Sequence, residues 1–126
     1  MPFTTSTAQK IINKILRNTD FAHPAALYVS LHTADPGETG ANEVAPGGYT
    51  YTRQAVNFDA PAGKATQNSA LLEWLNMPAV TITHLGLWDA SSAGNFWWGG
   101  PFSSQVPLSA GNTFQIKLAD LDIALT

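Results

Sequence analysis

Apolar residues recur with a helical period in one early stretch of the chain and with a strand period beyond it. In STAQKIINKILRNTDF, Ala8, Ile11, Ile12, Ile15 and Leu16 fall at the i, i+3, i+4, i+7 and i+8 positions of one helix face. Ser6, with Gln9 three residues on, has the form of a capping box, in which each side chain bonds the other residue's backbone N–H. Asn18 and Thr19 weaken the helix, and His23-Pro24 stops any continuation, because the residue before proline avoids the α region. The spacing predicts a helix of about three turns near residues 6 to 18.

After the helix the chain alternates. ALYVSLHT puts Leu27, Val29 and Leu31 on one side and Tyr28, Ser30 and His32 on the other. TYTRQAVNF sets Val56 and Phe58 opposite Arg53 and Asn57. ALLEWLNM is ambiguous by period, and its length and Pro78 favour a strand. AVTITHLGLWD is rich in β-branched residues and apolar on both faces in its second half, as a central strand is. GNFWWGG, QVPL and TFQIKLADLDIALT come next at short intervals, and Phe114, Ile116 and Leu118 alternate with Thr113, Gln115 and Lys117. Turn signals at Asp35-Pro-Gly, Pro46-Gly-Gly, Pro61-Ala-Gly, Ser92-Ala-Gly and Ala110-Gly-Asn separate the runs. The pattern predicts a mainly β fold, a jelly-roll-like antiparallel β-sandwich of seven to eight strands preceded by one N-terminal amphipathic helix. Residues 1–24 are expected to form the helix and its connector, and residues 25–126 the sandwich.

Composition narrows the function classes. Only 12% of the 126 residues are charged, about half the usual ~25%, so neutral polar groups solvate the surface. A net charge of −3 offers no basic field for nucleic acid. Without cysteine there is no disulfide or thiolate chemistry. No apolar run approaches the ~20 residues of a membrane span, and the N-terminus lacks a signal-peptide core. No membrane contact is therefore expected.

The charges are segregated. Lys10, Lys14 and Arg17 give the helix three cations and no acid, while the rest of the chain carries three basic and nine acidic residues. A basic helix leading an acidic body suits docking on an acidic neighbour, a second copy included. It equally suits a helix lying on its own sandwich with its cations solvated, because the pattern does not say which chain buries the apolar face.

Candidate chemistry centres on SLHTADPGETGANE, where His32 precedes Asp35, Glu38 and Glu43 among glycines. A metal-dependent hydrolase using His32 with Asp35 or Glu38 is one reading. The spacing does not match the twelve-residue EF-hand loop, and Asp35-Pro36-Gly37 is also what a tight turn wants. On the other reading His32 is a strand-end histidine bonding loop backbone. His84 shares its strand face with Val80, Ile82, Gly86 and Trp88 and reads as an interior or cross-strand histidine. There is no GxSxG elbow, no HExxH and no phosphate-binding glycine loop, so the chain points away from an enzyme and implies no cofactor.

Aromatics cluster in LWDASSAGNFWWGGPF. Adjacent tryptophans on a strand point to opposite faces, so one of Trp97 and Trp98 can be core while the other looks outward to stack on a sugar or anchor a protein contact. Packing against the N-terminal helix is the alternative. The expected contact surfaces are Lys10, Lys14 and Arg17 with Phe96, Trp97, Trp98 and Phe102.

LYVSLHTADPGETGANEV, then GGYTYTRQAVNFDAPAGKATQNSA, then ITHLGLWDASSAGNFWWGGPF resembles a family of small tailed-bacteriophage virion structural proteins. Its members are labelled tail-fibre-like or minor tail proteins, and similar small β-sandwiches decorate phage heads as cement subunits. Pro46 before the glycine pair and the YTYTRQ step depart slightly from the pattern. The resemblance implies no catalytic, metal or cofactor residue. It implies a virion protein made in the host cytoplasm, with a major capsid protein or other virion proteins as partners and a homotrimer or homodimer as its state. A compact domain without shaft repeats or heptads favours a capsid decoration protein. A tail-fibre or tail-tip component that binds a host receptor or glycan is the other form of the same reading.

Overall fold

In the computed structural model, which describes residues 3–124, helix α1 runs from Thr5 to Leu16. Thr4, not Ser6, starts it. The Thr4 backbone is extended, its N–H donates to the Trp97 carbonyl (3.2 Å), and its hydroxyl accepts the Thr7 N–H (3.2 Å). The anchor on Trp97 decides where the chain turns into the helix, so the capping box expected at Ser6 and Gln9 does not form. Ser6 lies inside the helix, where its hydroxyl accepts from Lys10 Nζ (2.9 Å). At the other end Asn18 takes a left-handed φ of 51°, a conformation asparagine tolerates at a helix terminus.

The remaining described residues build eight strands: β1 (Leu27–His32), β2 (Gln54–Val56), β3 (Ala65–Gln67), β4 (Leu72–Met77), β5 (Thr81–Trp88), β6 (Phe96–Pro107), β7 (Asn112–Ile116) and β8 (Asp122–Ala124). They form an antiparallel four-stranded sheet in the order β2-β1-β5-β6 and two ribbons, β3-β8 and β4-β7. Strand β5 is central, as its two-sided apolar pattern predicts. One face of the sheet, with Val29, Leu31, Leu85, Leu87 and Trp98, shares a core with Leu72, Trp74, Met77, Phe114 and Ile116 of the β4-β7 ribbon and Ile123 of β8. This is a mainly β, sandwich-like arrangement, with the second layer divided into two ribbons.

Three expectations change in detail. FWWGG and QVPL belong to one strand, β6, because β6 lies at the sheet edge, where Pro101 and Pro107 can sit without breaking a two-sided ladder. TFQIKLADLDIA divides into β7 and β8 around Ala119, at φ 69°. A register irregularity between Ile82 and His84 sends Ile82 into the main core and turns His84, Gly86 and Trp88 to the opposite face, so His84 does not share a face with Ile82.

Asn68, which lies just before β4, is fully buried and ties the two ribbons of the second layer together. Its amide donates to the carbonyls of Ala70 (2.8 Å) and Lys117 (3.0 Å), and its side-chain oxygen accepts the Leu121 N–H (2.9 Å). No periodicity marks such a residue.

Candidate functional site

The outer face of the four-stranded sheet carries the histidine and the carboxylate loop. Ser30 and His32 point to this face of β1; on β5, Gly86 lies opposite Ser30 and His84 opposite His32, with Trp88 further along the strand, opposite Tyr28. Residues 33–44 cross above. Val44 N–H bonds the Leu31 carbonyl and Thr33 N–H the Asn42 carbonyl, so the end of the loop pairs with β1 beyond the point where short β2 stops. Gly40 lies against Trp88: at φ +77° a Cβ there would sit 2.2 Å from the indole. Pro36 is fully buried over Gly99.

Under this cover the hydrogen bonds fix the histidine's state. His32 Nδ1 is 2.7 Å from the Ala41 carbonyl, which only accepts, so Nδ1 carries the proton. Nε2 then accepts from the Ser30 hydroxyl (2.6 Å), whose oxygen accepts from Trp88 Nε1 (2.8 Å). The chain runs Trp88 to Ser30 to His32 to Ala41 with every group used. Burial pushes the His32 pKa below its ordinary value and keeps the ring neutral. A serine hydroxyl on histidine Nε2 is the geometry of an activated nucleophile. Here both side chains are fully buried, and Phe96 and Gly86 close the site from the sides. The reading of His32 as a strand-end histidine bonding loop backbone describes what is found.

Each loop carboxylate also has a bonding partner. Asp35 accepts the Gly37 N–H (2.8 Å) and makes the turn. Glu38 receives the hydroxyl and backbone N–H of Thr5, at the N-terminus of α1, and those bonds hold its carboxyl below the usual range. Glu43 takes Arg53 Nε and a terminal nitrogen (both 3.0 Å) and the Tyr51 hydroxyl (2.7 Å). That hydroxyl in turn accepts the Leu31 N–H (3.0 Å), and burial, aided by the Glu43 charge, pushes the phenol pKa well up. Arg53 stacks 3.8 Å from the Trp88 ring and donates to the carbonyls of Ala90 and Ala93. The loop is thus tied to β1, to α1 and to the β5–β6 turn. Among the described residues no three His, Asp or Glu side chains converge as a metal site.

The aromatic run behaves differently from its sequence reading. Trp98 lies in the main core and Trp97 is buried beneath α1, so neither presents a ring outward. Phe21 packs 6.1 Å from the Trp97 ring, Lys10 Nζ lies 5.0 Å above it, and the Thr7 hydroxyl bonds the Trp97 carbonyl (2.9 Å). The helix covers what the strand pattern left open. Phe96 is half-buried beside Trp88 (5.0 Å), and Phe102 is half-buried edge-on to Phe114 (5.7 Å). Lys14 pairs with Asp20, and Arg17 donates to Asn13.

The second half of the helix stripe remains uncovered. Ala8 and Ile11 are half-buried, whereas Ile12, Ile15 and Leu16 face solvent. On the β4-β7 ribbon Leu71 and Leu75 are likewise exposed. An apolar cavity of about 430 Å³ lies between Phe3 and the β3-β8 ribbon, lined by Pro61, Ala65, Thr66 and Ile123, and among the described residues Lys64 is the titratable group at its wall. No helix among the described residues is long and apolar enough to cross a membrane.

A family model described as podophage GP4 fiber I protein gp80 matches residues 2–124. No curated protein matches the chain.

Proposed function

The chain belongs to the podophage GP4 fiber I protein gp80 family and is a phage virion structural protein, and on that footing we propose that it serves as a subunit of a phage fibre. The observation that carries this reading is the extent of the match, residues 2–124 of 126. The site geometry supports it: the Ser30–His32 pair is sealed, and the loop acids bond Gly37, Thr5, Arg53 and Tyr51. A subunit of this kind works by its surfaces, through many modest contacts with other virion proteins. Decoration of the head shell draws on the same features and differs only in where the subunit sits.

Labelling separates the two. Purified virions carrying an affinity tag on this protein, imaged with gold-conjugated antibody, are expected to show label at the tail and its fibres. Label spread over the head would overturn the fibre reading in favour of decoration.

A further inference from the structure

We propose that the exposed half of α1 docks on the outward face of β4 in a second copy of the chain. Ile12, Ile15 and Leu16 are 52%, 73% and 76% exposed, on the stripe whose first half, Ala8 and Ile11, already rests on the protein's own body. A helix with one apolar face gains most of its stability from burying that face, so a stripe that runs off its own support lacks a surface. Beside it stand Arg17 and Lys14, the latter paired with Asp20, which is the only acid before residue 35.

The complementary surface is on the same molecule, on another layer. Strand β4 alternates: Leu72 and Trp74 enter the core, while Glu73 and Leu75 alternate with them and Leu71 immediately precedes the strand, Leu71 and Leu75 at 51% and 58% exposed. Glu73 lies between the two leucines and opposite Gln115 of β7, and the adjoining β7–β8 turn adds exposed Leu118 and Asp120 beside Lys117. An apolar stripe centred on an acid matches an apolar stripe flanked by cations. Because α1 rests on β6 while β4 belongs to a different sheet, the two surfaces lie apart on one copy. A helix-to-β4 contact is therefore head-to-tail, closing into a ring or continuing into an array. Pairing α1 with α1 would instead set Lys14 and Arg17 of both copies against each other. The proposal concerns contacts between copies and does not depend on whether the subunit sits on tail or head.

The test is sedimentation of the full chain over a concentration series, with Ile15→Asp and Leu75→Asp variants. Both positions are exposed, and circular dichroism and melting check that the variants fold; Leu71→Asp serves if Leu75→Asp does not. The wild type is expected to self-associate, and each variant to weaken association about tenfold or more. Mixing the two variants is expected to give a one-to-one pair, because one retains the helix and the other the β4 face. A wild type monomeric at every concentration would overturn the proposal and leave the fibre reading intact, which is decided on the particle. Loss in Ile15→Asp with full association in Leu75→Asp would overturn the β4 site.

Discussion

Ser30 Oγ and His32 Nε2 lie 2.6 Å apart on the outer face of β1, and neither side chain is exposed. The pair is formed by residues two apart on one strand, under a loop whose backbone takes the other imidazole nitrogen. Its place in the hydrogen-bond chain from Trp88 to Ala41 makes it a fastening of the loop, and a fastening has effects on stability that can be measured.

Stability should fall at mildly acid pH through His32. The folded-state pKa is lowered by burial, so the folded protein binds fewer protons than the unfolded chain as pH drops past the unfolded value of 6.5. Stability is complete above that value and declines as pH falls toward the folded pKa. Carboxylates such as Glu38 and Asp89, whose pKa values are also lowered, act further down. Thermal melts from about pH 7.5 to about pH 5.5, which bracket an ordinary histidine, should show this slope in the wild type and lose most of it in His32→Gln. An equal slope in both would show that His32 is not its source.

Arg53→Ala should destabilise by about 2–4 kcal/mol, measured by urea unfolding, since it strands a largely buried Glu43 and releases the Ala90 and Ala93 carbonyls. Arg53→Lys should recover little, because the bidentate pair and the stack on Trp88 both need the planar guanidinium.

Gly86→Ala should cost about 1–3 kcal/mol. Its Cβ would lie 2.5 Å from Phe96 and 2.8 Å from Ser30 Oγ, so the aromatic ring and the hydrogen-bond chain must both shift. Near-ultraviolet circular dichroism, which reports Trp88 packing, should change with it.

Thr4→Ala should lower stability by about 1 kcal/mol in the same urea titrations, whereas Ser6→Ala should leave it nearly unchanged. The reverse ranking would restore the capping box.

The contrast between Thr4 and Ser6 shows where the sequence is informative and where it is not. The existence of α1 and the strand character of β1, β4 and β5 can be read from apolar spacing, because one buried face imposes a period. The choice between Thr4 and Ser6 cannot, since it is made by a bond to Trp97, 93 residues away in the chain. The Gly99-Gly100-Pro101 run resembles a break, and only its place on an edge strand lets β6 continue through it. The outward tryptophan fails for a related reason: the helix that covers Trp97 is far in sequence and near in space. Asn68 and the Tyr51–Glu43–Arg53 cluster are polar residues in a polar-rich chain, so no local signal distinguishes them from solvated neighbours. The carboxylate loop was legible as a turn at Asp35-Pro36-Gly37, while the partners of Glu38 and Glu43 depend on tertiary contacts.

If this chain is a building block of the particle, it must be present in the particle, and quantitative mass spectrometry of gradient-purified virions decides that. Peptides of this protein are expected in the intact particle, at a fixed ratio to the other tail and fibre proteins in every preparation. Abundant protein in the infected lysate with none in the purified particles would contradict a structural role.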